Sequence, residues 1–141
     1  MKRDYAIYQV GLKILLKKGS SVLFLTITDK EHYLDLPGGR IDNVESNVPL
    51  EKILAREIRE ELGPSVRYLL GQPVFQFRRF VPSRNIYNFL TVYEGEYISG
   101  KVKLSFEHSS FKWIDPKAYH FKKTEFMNQE EYLAFKKYFQ K

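Results

Sequence analysis

The chain has 141 residues, 43% hydrophobic and 16% aromatic, with 23 Lys and Arg against 17 Asp and Glu for a net charge of +6. A chain of this length reads as one domain able to bury roughly two thirds of its extended surface, which excludes a disordered tail, a collagen-like repeat or a low-complexity segment. There is no cysteine, so a disulfide scaffold, a thiolate metal site and a cysteine nucleophile are excluded as well.

In chain order, Tyr5–Leu16 and Ser21–Thr28 are rich in β-branched, aromatic and aliphatic residues, with Lys17-Lys18-Gly19-Ser20 between them. This pattern predicts a β-hairpin. A short strand, Tyr33–Leu36, then runs into Pro37-Gly38-Gly39, where regular structure is expected to stop. Pro49–Leu62 is the strongest helix: Pro49 suits a first helical position, Ser46 or Asn47 is placed to cap it, and Gly63-Pro64 ends it.

Strands are predicted again at Val66–Leu70, Val74–Val81 and Ile86–Tyr97, the last two joined by a turn at Pro82–Asn85, with shorter ones at Lys101–Phe106 and Phe111–Ile114. Asp115-Pro116 opens a helical turn. Asn128–Phe139 reads as a terminal helix with Tyr132, Phe135, Tyr138 and Phe139 on one side. The expected class is α+β, a mixed sheet that needs helices on its faces.

The informative segment is LPGGRIDNVESNVPLEKILAREIREELG, residues 36–63. On a helix, Glu57, Glu60 and Glu61 fall within one arc of roughly 100°, Leu54, Ala55, Ile58 and Leu62 take the adjoining arc, and Arg56 flanks the acids. Like charges at these spacings repel by a few tenths of a kcal/mol per pair in water, and more where partly buried. A hard divalent cation such as Mg²⁺, with Mn²⁺ as a substitute, wants such oxygen clusters. Gly38 and Gly39 let the backbone turn tightly, bringing a carbonyl toward a metal or amides toward a phosphate. On spacing alone, a metal site and a solvated acidic face are equally open readings.

The same residues resemble the signature of the Nudix hydrolases, G-x5-E-x7-R-E-U-x-E-E-x-G-U, with U aliphatic. The matching positions are Gly39, Glu45, Arg56, Glu57, Ile58, Glu60, Glu61 and Gly63. Ten residues rather than seven separate Glu45 from Arg56, and Pro64 stands where an aliphatic residue usually follows the glycine. The REIREELG core, which fixes the spacing of the acids, is intact.

The resemblance implies an α/β/α sandwich with a central mixed sheet over residues 1–141 and a metal-dependent pyrophosphatase acting on nucleoside diphosphates linked to another moiety. It assigns Glu57, Glu60 and Glu61 as metal ligands together with the Gly39 carbonyl. Arg56 would pair with Glu45 and hold the loop to the helix, while Gly38, Glu45 and Gly63 would shape the motif. Ser105–Asp115 is similar to the family's acid-His stretch followed by an aromatic-x-Trp strand. Glu107 then becomes a further ligand or the base that activates water, with Glu60 and Arg56 completing the catalytic set. His108 is expected to be structural, and Phe111 and Trp113 to lie in the core.

Arg78, Arg79 and Arg84 follow the helix and are candidates to contact phosphates or a base, with Tyr87, Phe89 or Phe77 as stacking surfaces. A nucleoside triphosphate and ADP-ribose are comparable substrates, and a capped or 5′-phosphorylated RNA end ranks below them. The alternative is a catalytically weak or inactive nucleotide- or RNA-binding module on the same fold. A general nucleic-acid partner is disfavoured because no clustered basic-aromatic motif is present. A homodimer is compatible with the sequence. The apolar runs are far shorter than the ~18–20 residues of a membrane span, and the N-terminus lacks secretory features. A cytoplasmic protein without a membrane partner is therefore expected.

Overall fold

The computed structural model describes residues 1–141. The run GLKILL places apolar side chains on both faces of a strand, and β1 (Tyr8–Lys18) is accordingly the spine of the sheet, buried from Gly11 to Leu16. Around it lie β2 (Ser21–Ile27), β3 (Lys30–Asp35), β4 (Gly38–Arg40), β5 (Arg67–Val81), β6 (Ile86–Ser99) and β7 (His108–Ile114). The sheet runs β3-β2-β1-β6-β5, with β4 paired to β1 and β7 to β2. β1 and β6 are parallel, from Tyr8 opposite Tyr87 to Lys17 opposite Glu96, and the other pairings are antiparallel.

The period-two alternation of β1 separates two cores. Leu12, Ile14 and Leu16 pack against Ile53, Leu54, Ile58 and Leu62 of helix α1 (Leu50–Leu62). Leu15 packs on the other face with Phe77, Leu90 and Val92 and with Phe135 and Tyr138 of helix α2 (Gln129–Phe139). The result is the expected α/β/α sandwich around a mixed sheet.

Several local expectations are corrected. The predicted first hairpin pairs only at Lys17–Val22 and Lys18–Ser21. Further along, β4 occupies that edge of β1 at Gly11–Lys13, while β2 pairs with β3 and β7. Regular structure stops at Leu36-Pro37, as expected, but resumes at once, because Gly38 begins β4. Gly38 has φ +140°, and a Cβ there would run into the backbone of Leu12 and Lys13, so glycine permits the close approach.

Lys101–Phe106 is not a strand. Gly100 turns the chain at φ +106°, and the segment crosses the end of α1, where Lys103 N–H donates to Leu62 O at 2.8 Å. Its apolar alternation instead sets Val102 and Leu104 against the α1-side core. The two strands predicted across residues 66–81 form one strand, β5, with irregular pairing between Leu70 and Phe75. Pro49 itself precedes α1 and no side chain caps that end, so neither Ser46 nor Asn47 has the predicted role. Phe111, expected in the core, is exposed midway along β7, whereas Trp113 packs partly against the α1-side core. No helix is long and apolar enough to cross a membrane.

Candidate active site

The residues between β4 and α1 fold back on themselves. Asp42 Oδ1 accepts from Val44 N–H at 3.0 Å, Glu45 Oε1 accepts from Asp42 N–H at 3.0 Å, and a 3₁₀ turn follows at Asn43–Glu45. A further turn, in which Val48 N–H donates to Glu45 O at 2.9 Å, takes up the longer loop. Glu45 therefore reaches α1: Arg56 Nε and Nη2 donate to its two carboxylate oxygens at 2.5 and 2.7 Å. Those hydrogen bonds hold the Glu45 carboxyl below its ordinary range. The same guanidinium lies 2.8 Å from Glu57 Oε1 and 2.9 Å from Glu60 Oε1.

The three helix acids do not share one environment. Glu57 and Glu61 are only 9% and 6% exposed, whereas the Glu60 side chain is 56% exposed and both its oxygens accept from Arg56. Glu61 Oε1 accepts from Gly38 N–H at 2.8 Å. A Cβ on Gly39 would collide with the Glu57 carboxylate, so the glycine leaves the space this acid occupies. Burial pushes the Glu61 carboxyl up to about 7, against the opposing pull of Lys13 and His108. Burial raises Glu57 as well, against Arg56.

Beside these acids lies a buried charge network that the sequence reading missed. Lys13 Nζ sits 3.3 Å from Asp35 Oδ2 and donates to Leu36 O at 3.0 Å and Gly38 O at 3.4 Å. Asp35 also accepts from Arg79 Nη2 at 3.0 Å and lies 3.2 Å from His108 Nε2. Burial works against the Asp35 carboxylate, yet Lys13, Arg79 and His108 together hold it well below its ordinary range. Arg79 is in turn gripped by the fully buried Glu131 at 2.7 and 2.8 Å. The signals were a lysine inside an otherwise apolar strand and Glu131 at helical spacing from Phe135 and Tyr138.

An open cleft of about 890 Å³ is lined by Gly38, Gly39, Glu57, Glu60, Glu61, Glu107 and His108, and also by Arg79 and Asn88. It brings together the glycine pair, the three helix acids and Glu107. Arg79 reaches the cleft with its guanidinium bound to Asp35 and Glu131 rather than free for a phosphate. Arg78 and Arg84 are not brought to it. Arg78 pairs with Glu130 at 2.7 Å, and Arg84 lines a separate groove with Tyr8 and Asp42. Phe77 belongs to the core and offers no stacking surface. His108 is buried, and its Nδ1 lies 3.6 Å from Glu61 Oε2 without a hydrogen-bond partner. Gly63 ends α1 at φ +89°.

The chemistry of these donors suits a hard divalent cation. Two buried carboxylates, a third at the rim and the Gly39 carbonyl are all oxygen ligands, and burial makes the carboxylates costly to charge without a cation nearby. The acids are not, however, gathered into a group of three or more around one point, since Arg56 engages Glu60.

No family model matches the chain, and no curated protein matches it in sequence. Solved structures do match it. A MutT protein from Methanosarcina mazei Go1 superposes with a TM-score of 0.69 at 20% identity, covering 98% of this chain and 94% of that one. A MutT NUDIX hydrolase from Burkholderia pseudomallei gives 0.68 at 19%, covering 92% and 97%. The chain has the Nudix fold. A NUDIX hydrolase from Nitrosomonas europaea matches with a TM-score of 0.71 at 13% identity, covering 94% and 88%. Within this Nudix fold, α1 carries the REIREELG motif and its acids border the cleft beside the Gly38-Gly39 turn.

Proposed function

We propose that the chain is a divalent-metal-dependent pyrophosphohydrolase that cleaves the diphosphate linkage of a nucleoside diphosphate derivative. The observation carrying this reading is the pair of buried carboxylates, Glu57 and Glu61, packed against the glycine turn in an open cleft. Burial raises both carboxyls even with Arg56 beside Glu57 and with Lys13 and His108 acting on Glu61, so a further cation in the cleft would favour their charged forms. Structural neighbours include an ADP-ribose pyrophosphatase from Streptococcus suis and a UDP-X diphosphatase, at 15% and 16% identity.

Glu57, Glu60, Glu61 and the Gly39 carbonyl are the residues that would hold Mg²⁺ or Mn²⁺, which would supply charge neutralisation of the diphosphate and a more electrophilic phosphorus. The chain's own residues do the rest. Arg56 fixes Glu45, Glu57 and Glu60 relative to one another, which sets the loop against the helix. The Gly38 amide fixes Glu61. Glu107 takes the proton of the attacking water as the new phosphorus–oxygen bond forms and the anhydride bond breaks, the leaving phosphate carrying away the electron pair. Nucleoside triphosphates and ADP-ribose are the substrate classes to try first.

The test is release of phosphate, pyrophosphate or AMP from a panel of nucleoside triphosphates and ADP-ribose, with Mg²⁺, with Mn²⁺ and with chelator. Metal-dependent turnover that falls at least about a hundredfold in Glu61→Gln and Glu60→Gln supports the reading. Full activity in both variants, or in chelator, overturns it. The second reading, a nucleotide-binding module without turnover, draws on Glu60 being held by Arg56. It predicts nucleotide binding with no product under any metal condition.

A further inference from the structure

Asn88, Ser105 and His108, all lining the cleft, each have a buried polar atom without a hydrogen-bond partner, and Asn88 is the one primary amide among them. Asn88, on β6, is 8% exposed, lines the cleft, and no hydrogen bond within the chain reaches its Oδ1. Buried polar atoms are nearly always paired, and leaving one unpaired destabilises the fold. The space for the amide is provided by Gly11 on β1: a Cβ there would stand 3.1 Å from both Nδ2 and Oδ1 and would strike Leu90. Two neighbouring positions thus combine to keep an unsatisfied amide at the cleft.

Its surroundings do not supply a partner. Arg79, directly opposite Asn88 in the β5–β6 register, is committed to Asp35 and Glu131. Lys13, two residues beyond Gly11 on the same face of β1, is committed to Asp35 and the Leu36 and Gly38 carbonyls. The immediate charged neighbours are therefore satisfied and the amide is not.

Position relative to the acids identifies what would satisfy it. β1 lies between β4 and β6, and Asn88 sits three residues along β6 from Thr91, the residue level with Gly39, so Asn88 and Gly39 are separated by two strand spacings across the sheet and three residues along it, about 14 Å. One nucleotide bridges that distance, with its phosphates at the Gly38-Gly39 turn and its base at Asn88. A primary amide presents a donor beside an acceptor, the complement of a base edge such as adenine N6–H and N7. A sugar phosphate without a base offers no such edge there.

We propose that Asn88 is a specificity-determining residue that hydrogen-bonds the edge of a nucleobase, so that the cleft selects base-bearing phosphates over sugar phosphates. This deepens the function proposed above and rests on a nucleotide occupying the same cleft. Sites built to hydrogen-bond a polar group reject analogues that lack it, because their own buried group is then left unpaired.

The test uses the full chain and needs no turnover. Titration calorimetry with AMP, GMP, CMP, UMP and ribose 5-phosphate is compared for the wild type, Asn88→Leu and Asn88→Ala. The wild type is expected to bind at least one nucleoside monophosphate about tenfold more tightly than ribose 5-phosphate. Both variants should lose that difference while keeping their affinity for ribose 5-phosphate, and Asn88→Leu should melt no lower than the wild type. If the wild type does not distinguish the two ligand classes, or the folded variants retain the preference, the proposal is overturned and the amide is structural. If Asn88→Leu does not fold, Asn88→Ala and the wild-type preference decide the outcome. Failure of the metal-dependent hydrolysis panel would contradict the enzyme reading alone, since these ligands contain no diphosphate to cleave.

Discussion

Gly38 N–H donates to Glu61 Oε1 at 2.8 Å, tying the glycine turn to the helix through a carboxylate that burial disfavours in its charged form. The turn and the acid are thus one unit. Fixing the acid by a backbone amide, rather than by a mobile side chain, keeps it pointed at the cleft before any ligand arrives.

The raised Glu61 carboxyl makes stability depend on pH. Its folded value, about 7, lies above the ordinary 4.5, so between these values the native chain binds more protons than the unfolded one. Stability contributed by this group therefore falls as pH rises from about 4.5 to 7. In chelator, the urea midpoint of the wild type should fall across that window, and Glu61→Gln should flatten the profile. Adding Mg²⁺ at pH 8 should raise the wild-type midpoint and leave Glu61→Gln nearly unmoved.

Asp35 has the opposite sign. Its carboxyl lies well below 3.8, so the stability it contributes is complete above that value and is lost as pH falls toward its folded value. Asp35→Asn removes the negative partner of Lys13 and Arg79, leaving buried charge uncompensated at a cost of about 3–5 kcal/mol. Denaturant titration at neutral pH should report a large drop in the midpoint, with less acid sensitivity than the wild type.

The two glycines of the turn should respond differently to alanine. At Gly38 a Cβ meets the backbone of Leu12 and Lys13 at a positive φ, so Gly38→Ala should lower the melting temperature strongly. At Gly39 the Cβ meets the end of the Glu57 side chain, which can move. Gly39→Ala should melt nearly as the wild type while losing about tenfold or more in metal affinity.

Arg56 should couple to Glu45 in activity. Arg56→Lys keeps the charge and loses the paired geometry with Glu45 and the contacts to Glu57 and Glu60. It should lower kcat/KM by at least about tenfold. The double variant Arg56→Lys, Glu45→Gln should be little worse than Arg56→Lys alone, as a double-mutant cycle on kcat/KM would show.

The motif on α1 was legible because helical spacing places its acids and apolar residues on definable faces, and Gly63-Pro64 marks its end. A mixed sheet with helices on its faces followed from strands rich in Val, Ile, Tyr and Phe and two amphipathic helices, and the sandwich from the resemblance of the α1 motif to the Nudix signature. What could not be read were non-local relationships. Nothing near Lys13 in sequence announces Asp35, and nothing near Arg79 announces Glu131, because these contacts join β1, β3, β5 and α2. The Lys101–Phe106 segment has the alternation of a strand but spends it against the end of α1. The longer loop preserves the Glu45–Arg56 pair because 3₁₀ and turn hydrogen bonds take up its length.

The central claim is that the acids of α1 bind a hard divalent cation at the cleft. Titrating the protein with Mn²⁺ while following the electron paramagnetic resonance signal of the free ion tests it most directly. The account predicts that the wild type depletes free Mn²⁺ at a defined stoichiometry, that Mg²⁺ reverses this, and that Glu57→Gln with Glu61→Gln abolishes it. Equal Mn²⁺ binding by the wild type and the double variant, or none by the wild type, would contradict it.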